Sequence, residues 1–278
     1  MRALVLSDLH LGNPESKWLD AAYLIKENIN DLDIIILNGD LTEEFNPFPI
    51  TRKSVHSDLE LLNSNIHESL SEFRDIISEN INKMVFLRGN HDHLIINSLP
   101  IVENFAILQT KFKKIVIFHG HQTYLSQYGK RFGWGVEAGR RLKSRLDQEH
   151  YVGTRLDTND YIIVGHCHTA FFDNEAKIFS PGCWVGKYRN RNIGWYILIN
   201  DEGEKNENNF IEIRRIKGFY SKACKCGYDD LKNDDSQCPK CDHPTTPICI
   251  TPGCSRPVRG EDEKLCKRCN HDEFNFYE

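Results

Sequence analysis

Two periodicities alternate along the first two hundred residues. Arg2-Ala-Leu-Val-Leu-Ser7 is a short apolar run of the kind a buried strand makes. Trp18, Ala22, Ile25 and Ile29 then return at helical spacing. Asp33 to Leu37 is a second apolar run and ends at Asn38-Gly39-Asp40. Ser57-x-x-Glu60 has the form of a capping box, and it opens a helix with Leu59, Leu62, Ile66, Leu70, Phe73 and Ile77 on one face. Lys83 to Arg88 is a third strand, ending at Gly89-Asn90-His91-Asp92. Further strands are predicted at 114–118, 161–164, 177–180, 194–199 and 209–214. Residues 122–147 read as an insertion of helix and loop, interrupted by Gly129, Gly133, Gly135 and Gly139. Strand and helix in alternation predict an α/β domain with a largely parallel sheet.

Composition divides the chain. Of its 278 residues, those before 221 hold two cysteines, Cys167 and Cys183, while 221–278 hold eight cysteines and half of the ten prolines. The boundary predicts a large domain over 1–218 and a small one over 219–278. Hydrophobic residues at 40% and charged residues at 27% fit a globular protein and argue against disorder. No apolar run approaches the ~18 residues of a membrane span. A net charge of −5 argues against a general polycation for nucleic acid. Met1 to Leu6 is too short for the apolar core of a signal peptide, which predicts a reducing cytoplasm.

The chemistry lies where strands end. Five predicted strands terminate in metal-binding side chains: Asp8 and His10, Asp40, Asn90 and His91, His119, and His166 with His168. Loops at the carboxyl ends of strands in α/β sheets converge on one crevice. One Asp-x-His occurs by chance and a lone Gly-Asp is usually a turn; five such ends in order are not explained by turns. Imidazole and carboxylate suit manganese, iron and zinc. Asp8, His10, Asp40, Asn90, His119, His166 and His168 are too many donors for one ion and enough for two. A shared carboxylate is then required, and Asp40 is the natural bridge. Such a pair of ions makes hydroxide available near neutral pH and neutralises charge on a phosphoryl oxygen.

Asp8-x-His10, Gly39-Asp40, Gly89-Asn90-His91-Asp92, His119 and Gly165-His166-x-His168 resemble the motif series of the calcineurin-like metallophosphoesterases, over residues 1 to about 215. The resemblance implies an αββα sandwich of two sheets with a dinuclear centre. It implies that Asp8, His10 and His168 hold one ion, that Asn90, His119 and His166 hold the other, and that Asp40 bridges. His91 would protonate the leaving oxygen or stabilise the transition state, and Asp92 would orient His91 or, equally, cap its own loop. Manganese is the expected ion, with iron, zinc or nickel as alternatives. Cys167, between two ligands on an alternating segment, should face away. The Asp-Arg-Gly turn of the serine/threonine protein phosphatases is missing after Asp40. Gly39-Asp40-Leu41 with Glu44-Phe45, His119-Gly120-His121 and Pro181-Gly182-Cys183-Trp184-Val185 are instead similar to relatives of UDP-2,3-diacylglucosamine pyrophosphatase. The better-known members of that class carry Arg in place of His91.

Basic residues cluster in the insertion (Lys130, Arg131, Arg140, Arg141, Lys143, Arg145) and after Trp184 (Lys187, Arg189, Arg191). Arginine forks bind phosphate bidentately. Arg131, Arg140, Arg141, Lys187 and Arg189 are therefore the candidate substrate contacts.

In the tail, Cys224-x-Cys226, Cys238-x-x-Cys241, Cys249-x₄-Cys254 and Cys266-x-x-Cys269 have zinc-ribbon spacing. Cys226, Cys238, Cys241 and His243 recur 28 positions later as Cys254, Cys266, Cys269 and His271. The repeat predicts two structural zinc ions, held serially by 224/226/238/241 and 249/254/266/269 or in an interleaved arrangement. With few large apolar residues, the tail needs such ions to fold.

The sequence thus predicts a metal-dependent hydrolase that cleaves a phosphodiester or pyrophosphate bond of a nucleotide-like substrate. The alternative is a nuclease whose zinc ribbons hold DNA or RNA. Partners are a phosphate-containing small molecule or nucleic acid, with a protein or nucleic-acid contact through the tail.

Overall fold

The computed structural model describes residues 1–13, 15–43, 55–92, 102–121, 123, 125–132, 135–146, 159–185, 193–203, 209–216, 222–223, 237 and 246–247. The first sheet is built from β1 (Arg2–Leu6), β2 (Ile34–Asn38), β3 (Met84–Leu87), β4 (Val102–Glu103), and, arriving late in the chain, β10 (Trp195–Asn200) and β11 (Ile211–Arg215). Its order is β11-β10-β1-β2-β3-β4. The second sheet takes β5 (Phe105–Gln109), β6 (Lys114–Phe118), β7 (Tyr161–Val164), β8 (Ala170–Asp173) and β9 (Ile178–Pro181), in the order β5-β6-β7-β9-β8. Both sheets are mixed. Neighbours from β1 to β4 run parallel, as do β6, β7 and β9, while β10, β11, β5 and β8 join antiparallel. Two short strands, β12 (Lys222–Ala223) and β13 (Thr246–Pro247), pair antiparallel in the tail.

Strand alternation decides which residues face which layer. On β1, Ala3 and Val5 turn toward the second sheet and join Ile36, Ile115, Ile117, Ile163, Phe179 and Ile197 in one apolar layer. Leu4 and Leu6 turn the other way, onto α1 (Trp18–Asn28) and α2 (Val55–Ile77). There they meet Trp18, Ala22, Ile25, Phe73 and Ile77, the stripe that the helical spacing marks out. A third layer lies on the far face of the second sheet, where Val116, Phe118, Ile162 and Val164 pack against Leu125 of α3 (Leu125–Phe132) and Ala138, Leu142 and Leu146 of α4 (Val136–Leu146). Helices therefore cover both outer faces of a two-sheet sandwich.

Three expectations change. Helix α2 starts at Val55, two residues ahead of Ser57, so Ser57 is inside the helix and not its cap. The insertion resolves into α3 and α4. Strands β5 and β8 were not marked by their sequence. Strand β5 is an edge strand with Ile107 40% exposed, so its pattern lacks a clean buried face. Among the described residues, no helix is long and apolar enough to cross a membrane.

Candidate metal centre

Parallel strands β1, β2 and β3, and β6 and β7 in the facing sheet, deliver their carboxyl ends to one place. Asp8 and His10 follow β1, Asp40 follows β2, Asn90 and His91 follow β3, His119 follows β6, and His166 and His168 follow β7. The turns that present them are unusual. Asp8, His10, Asp40, His166 and His168 all have positive φ, between 48° and 64°. That left-handed region costs an L residue about 1–2 kcal/mol. Lys177, in a hairpin, is the one other non-glycine among the described residues with positive φ.

The donor atoms gather into two groups that share Asp40. In the first, His10 Nε2 and His168 Nε2 are 3.2 Å apart, His168 Nε2 is 3.2 Å from Asp8 Oδ1, and His10 Nε2 is 3.9 Å from Asp40 Oδ2. In the second, His119 Nε2 is 3.1 Å from Asp40 Oδ2 and 3.3 Å from Asn90 Oδ1, with His166 completing the cluster. Ligands bonded to a cation at about 2.0–2.2 Å stand roughly 3–4 Å from one another, depending on the angle between them, and these separations fall in that range. Asp40 Oδ2 is buried, and the groups facing it among the described residues are the imidazole nitrogens of His119 at 3.1 Å and His10 at 3.9 Å, neither aligned as a regular hydrogen bond. A carboxylate oxygen so placed, facing imidazole nitrogens from both sides, is suited to a cation as its partner.

Each imidazole needs its second nitrogen held for the first to be a donor. His119 Nδ1 donates to the Asn38 carbonyl at 2.9 Å. His10 Nδ1 lies 2.7 Å from Glu43 Oε2, and Asn13 Nδ2 donates to the same oxygen at 3.1 Å. Ser7 Oγ donates toward both Asp8 Oδ2 and the Asn38 carbonyl, and the His166 backbone N–H donates to Asp8. The His91 backbone N–H donates to Asp40 Oδ1 at 2.9 Å, which leaves Oδ2 for the cluster. Two glycines are fixed by closeness. A methyl on Gly89 would overlap the Asp40 backbone nitrogen and Oδ1, and one on Gly165 would overlap Ser7 Oγ and stand 2.9 Å from Asp8 Oδ2.

Glu43 was not marked by the sequence. Besides His10, it stands 3.7 Å from His91 Nδ1. Burial raises its carboxyl, but the hydrogen bond and charge of His10 outweigh that and bring it down to about 2. Of the two readings of Asp92, its contacts are those of a loop cap. Its Oδ1 accepts from the Thr42 backbone and hydroxyl, and its Oδ2 from the Gly89 backbone. It ties the loop after β2 to the loop after β3, and Glu43 is the carboxylate beside His91. Burial and the Asp40 charge push the Asp92 carboxyl up to about 6. Cys167 faces away as expected: its thiol meets Ser180 Oγ and the Thr169 carbonyl.

The basic residues are less concentrated on the site than their sequence clustering suggests. Arg140 pairs with Asp173 and lies 3.8 Å from Glu175, and Arg141 pairs with Glu137 one turn back at 2.8 Å. Arg131 is exposed on α3. Lys187 and Arg189 lie outside the described residues, as do all eight tail cysteines.

The His119–Asp40 contact sets a pH dependence. Burial disfavours the His119 imidazolium, but the charges of Asp40 and Asp8 outweigh burial and raise it to about 9. In the metal-free chain the charged pair stabilises the fold. That contribution is complete below the unfolded histidine value of ~6.5 and is lost as pH rises through about 9. A cation at His119 Nε2 must displace that proton. Affinity for Mn²⁺ is therefore expected to rise by up to about tenfold per pH unit from 7 to 9, with net proton release. Calorimetric titrations in buffers of different ionisation enthalpy measure the release. A flat profile would contradict it.

The sequence profile described as Calcineurin-like phosphoesterase matches residues 1–179. Among solved structures, the chain is similar to Yfce, a phosphoesterase from E. coli. Identity is 16% and the TM-score 0.43, over 72% of this chain and 89% of that one. It is also similar to Vps29 from Entamoeba histolytica, at 15% identity and a TM-score of 0.38, over 78% of this chain and 98% of that one. The comparison with curated proteins found no match.

Proposed function

From the premise that the chain belongs to the calcineurin-like phosphoesterase family and is a hydrolase of phosphoester bonds, we propose that it cleaves a phosphodiester or pyrophosphate bond in a nucleotide-like substrate, with two divalent ions. The observation that carries this reading is the single buried oxygen, Asp40 Oδ2, faced by His10 of one donor group and His119 of the other. Asp8, His10 and His168 would hold one ion and Asn90, His119 and His166 the second, with Asp40 common to both. Such ions supply a water that is nucleophilic near neutral pH and neutralise charge on the phosphoryl oxygens. Manganese is the ion we assign, on the mixed imidazole and carboxylate donor set.

The chain's own residues do the rest. His91 is half-buried at the rim, its ring edge against His10 with centroids 5.1 Å apart. Its backbone is tied to Asp40, and its Nδ1 faces Glu43. Nε2 is then the nitrogen that hands a proton to the leaving oxygen. The resemblance of 39–45 and 181–185 to relatives of UDP-2,3-diacylglucosamine pyrophosphatase supports pyrophosphate as one arm of the substrate class. Arg131, Lys187 and Arg189 are proposed contacts for its phosphates. The tail cysteines are proposed to hold two structural zinc ions over 219–278, an arrangement suited to a reducing cytoplasm.

Turnover of bis-p-nitrophenyl phosphate with Mn²⁺ tests the reading. His91→Ala should lower kcat by about 10²–10⁴-fold while Mn²⁺ stoichiometry stays at the wild-type value. Wild-type kcat in this variant would remove His91 from the chemistry.

A further inference from the structure

One imidazole beside the centre belongs to neither donor group. His121 follows His119 by two residues, after Gly120, whose φ of +104° lets the chain turn. The turn is braced on both sides. The Thr123 N–H and hydroxyl both donate to the Gly120 carbonyl, at 3.0 and 2.7 Å, and the Gly165 N–H donates to the His119 carbonyl at 3.1 Å. The His121 ring is thereby placed with its centroid 5.4 Å from that of His119 and 6.4 Å from that of His166. It lies against the second donor group without contributing an atom to it. His91 stands in the same relation to the first donor group, its centroid 5.1 Å from that of His10. The two imidazoles thus flank different halves of the centre.

The two ring nitrogens of His121 differ. Nδ1 is buried and has no hydrogen-bond partner among the described residues. The ring as a whole is half-buried, and Nε2, unlike Nδ1, is not enclosed. A neutral imidazole carries one proton. On Nδ1 that proton would make a buried N–H with nothing to accept it, whereas on Nε2 it meets water or a ligand. A second proton would meet the same obstacle at Nδ1. The arrangement favours a neutral ring whose N–H points outward, beside the residues proposed for the second ion.

We propose that His121 is a substrate-binding residue: its Nε2–H donates to a non-bridging oxygen of the phosphoryl group under attack, on the side of the centre formed by His119 and His166. Such an oxygen is negatively charged in the bound ester and in the phosphate product, so the same charge-assisted bond serves both. His91 acts on the leaving oxygen, while His121 holds its oxygen and transfers no proton. This inference rests on the two-ion reading above, because it takes the ester to lie across both donor groups.

Steady-state kinetics of the full chain on bis-p-nitrophenyl phosphate with Mn²⁺, together with competitive inhibition by inorganic phosphate, test it. His121→Phe keeps an aromatic ring and has no donor. It should raise KM and the phosphate inhibition constant by about 10–100-fold, with kcat within about twofold of wild type. His121→Gln, whose side-chain amide carries a donor close to the place of Nε2, should recover most of both losses. A packing role predicts the reverse order, with phenylalanine tolerated and glutamine impaired. Calorimetric titration should still find two Mn²⁺ ions in both variants. Wild-type KM and inhibition constant in His121→Phe, an equal loss in His121→Gln, or the loss of an ion in either variant would overturn the assignment. A wild-type chain that binds no pair of ions would instead overturn the two-ion reading and this inference with it.

Discussion

Asp40→Asn should abolish turnover, by about a thousandfold or more, through loss of both ions at once. The substitution is nearly isosteric, and the amide oxygen can still receive the His91 backbone N–H now bonded to Oδ1 at 2.9 Å. What changes is the other atom. An NH₂ group would stand where Oδ2 faces His119 Nε2 at 3.1 Å and His10 Nε2 at 3.9 Å. Two hydrogens there point at positions that require lone pairs. The negative charge that raises His119 also disappears, so the imidazole loses its proton more readily without gaining a bridging partner. Elemental analysis of the purified variant and kcat on a diester measure the two consequences separately. Retention of two ions with undiminished turnover would refute the bridge.

Gly165→Ala and Gly89→Ala should disable the centre without changing any ligand. A methyl at Gly165 meets Ser7 Oγ, Asp8 Oδ2 at 2.9 Å and the Asn38 carbonyl at 3.0 Å. The atoms it strikes orient Asp8 and His119, and the carbonyl cannot move without breaking the His119 Nδ1 bond. At Gly89 the obstacle is the Asp40 backbone itself. Overpacking of this kind costs about 1–3 kcal/mol. A domain of this size loses about 2–4 °C of Tm per kcal/mol. The larger effect falls on metal affinity, since displacing Asp8 or Asp40 by a fraction of an ångström removes a donor. Ser7→Ala should recover part of the loss in Gly165→Ala, because it deletes the atom most severely overlapped, and should recover nothing in Gly89→Ala. Equal recovery in both backgrounds would show that the damage is general loosening and not a local collision.

Much of this centre was legible because ligand chemistry and chain position coincide in it. Asp8, Asp40, Asn90 and His119 each follow an apolar run, so the end of the strand and the donor are seen together. Glu43 was hidden for the opposite reason. It lies three residues beyond Asp40 beside Glu44, in a stretch where nothing local separates a carboxylate facing inward from one facing water. Only the bridge between Leu11 and Thr42, which lays the two loops side by side, turns it toward His10. Asp92 shows the converse. Its place after His91 suits service to that ring and capping of the loop equally, and the loop turns its carboxylate back onto Thr42 and Gly89. The arginines of α4 read as phosphate ligands because sequence records charge and not partners. Asp173 and Glu137, which engage Arg140 and Arg141, lie 33 residues ahead and four behind. Strand β8 escaped notice because it begins two residues after His168, inside what the pattern treated as a loop.

The five left-handed residues at the cluster set stability and chemistry against each other. Glycine would rest more easily at each of those backbone positions than the aspartate or histidine found there. Selection for heat resistance alone would erode the pocket one residue at a time. The surrounding strands hold these side chains in readiness, so that an arriving ion meets a cage already assembled and has little ordering left to impose.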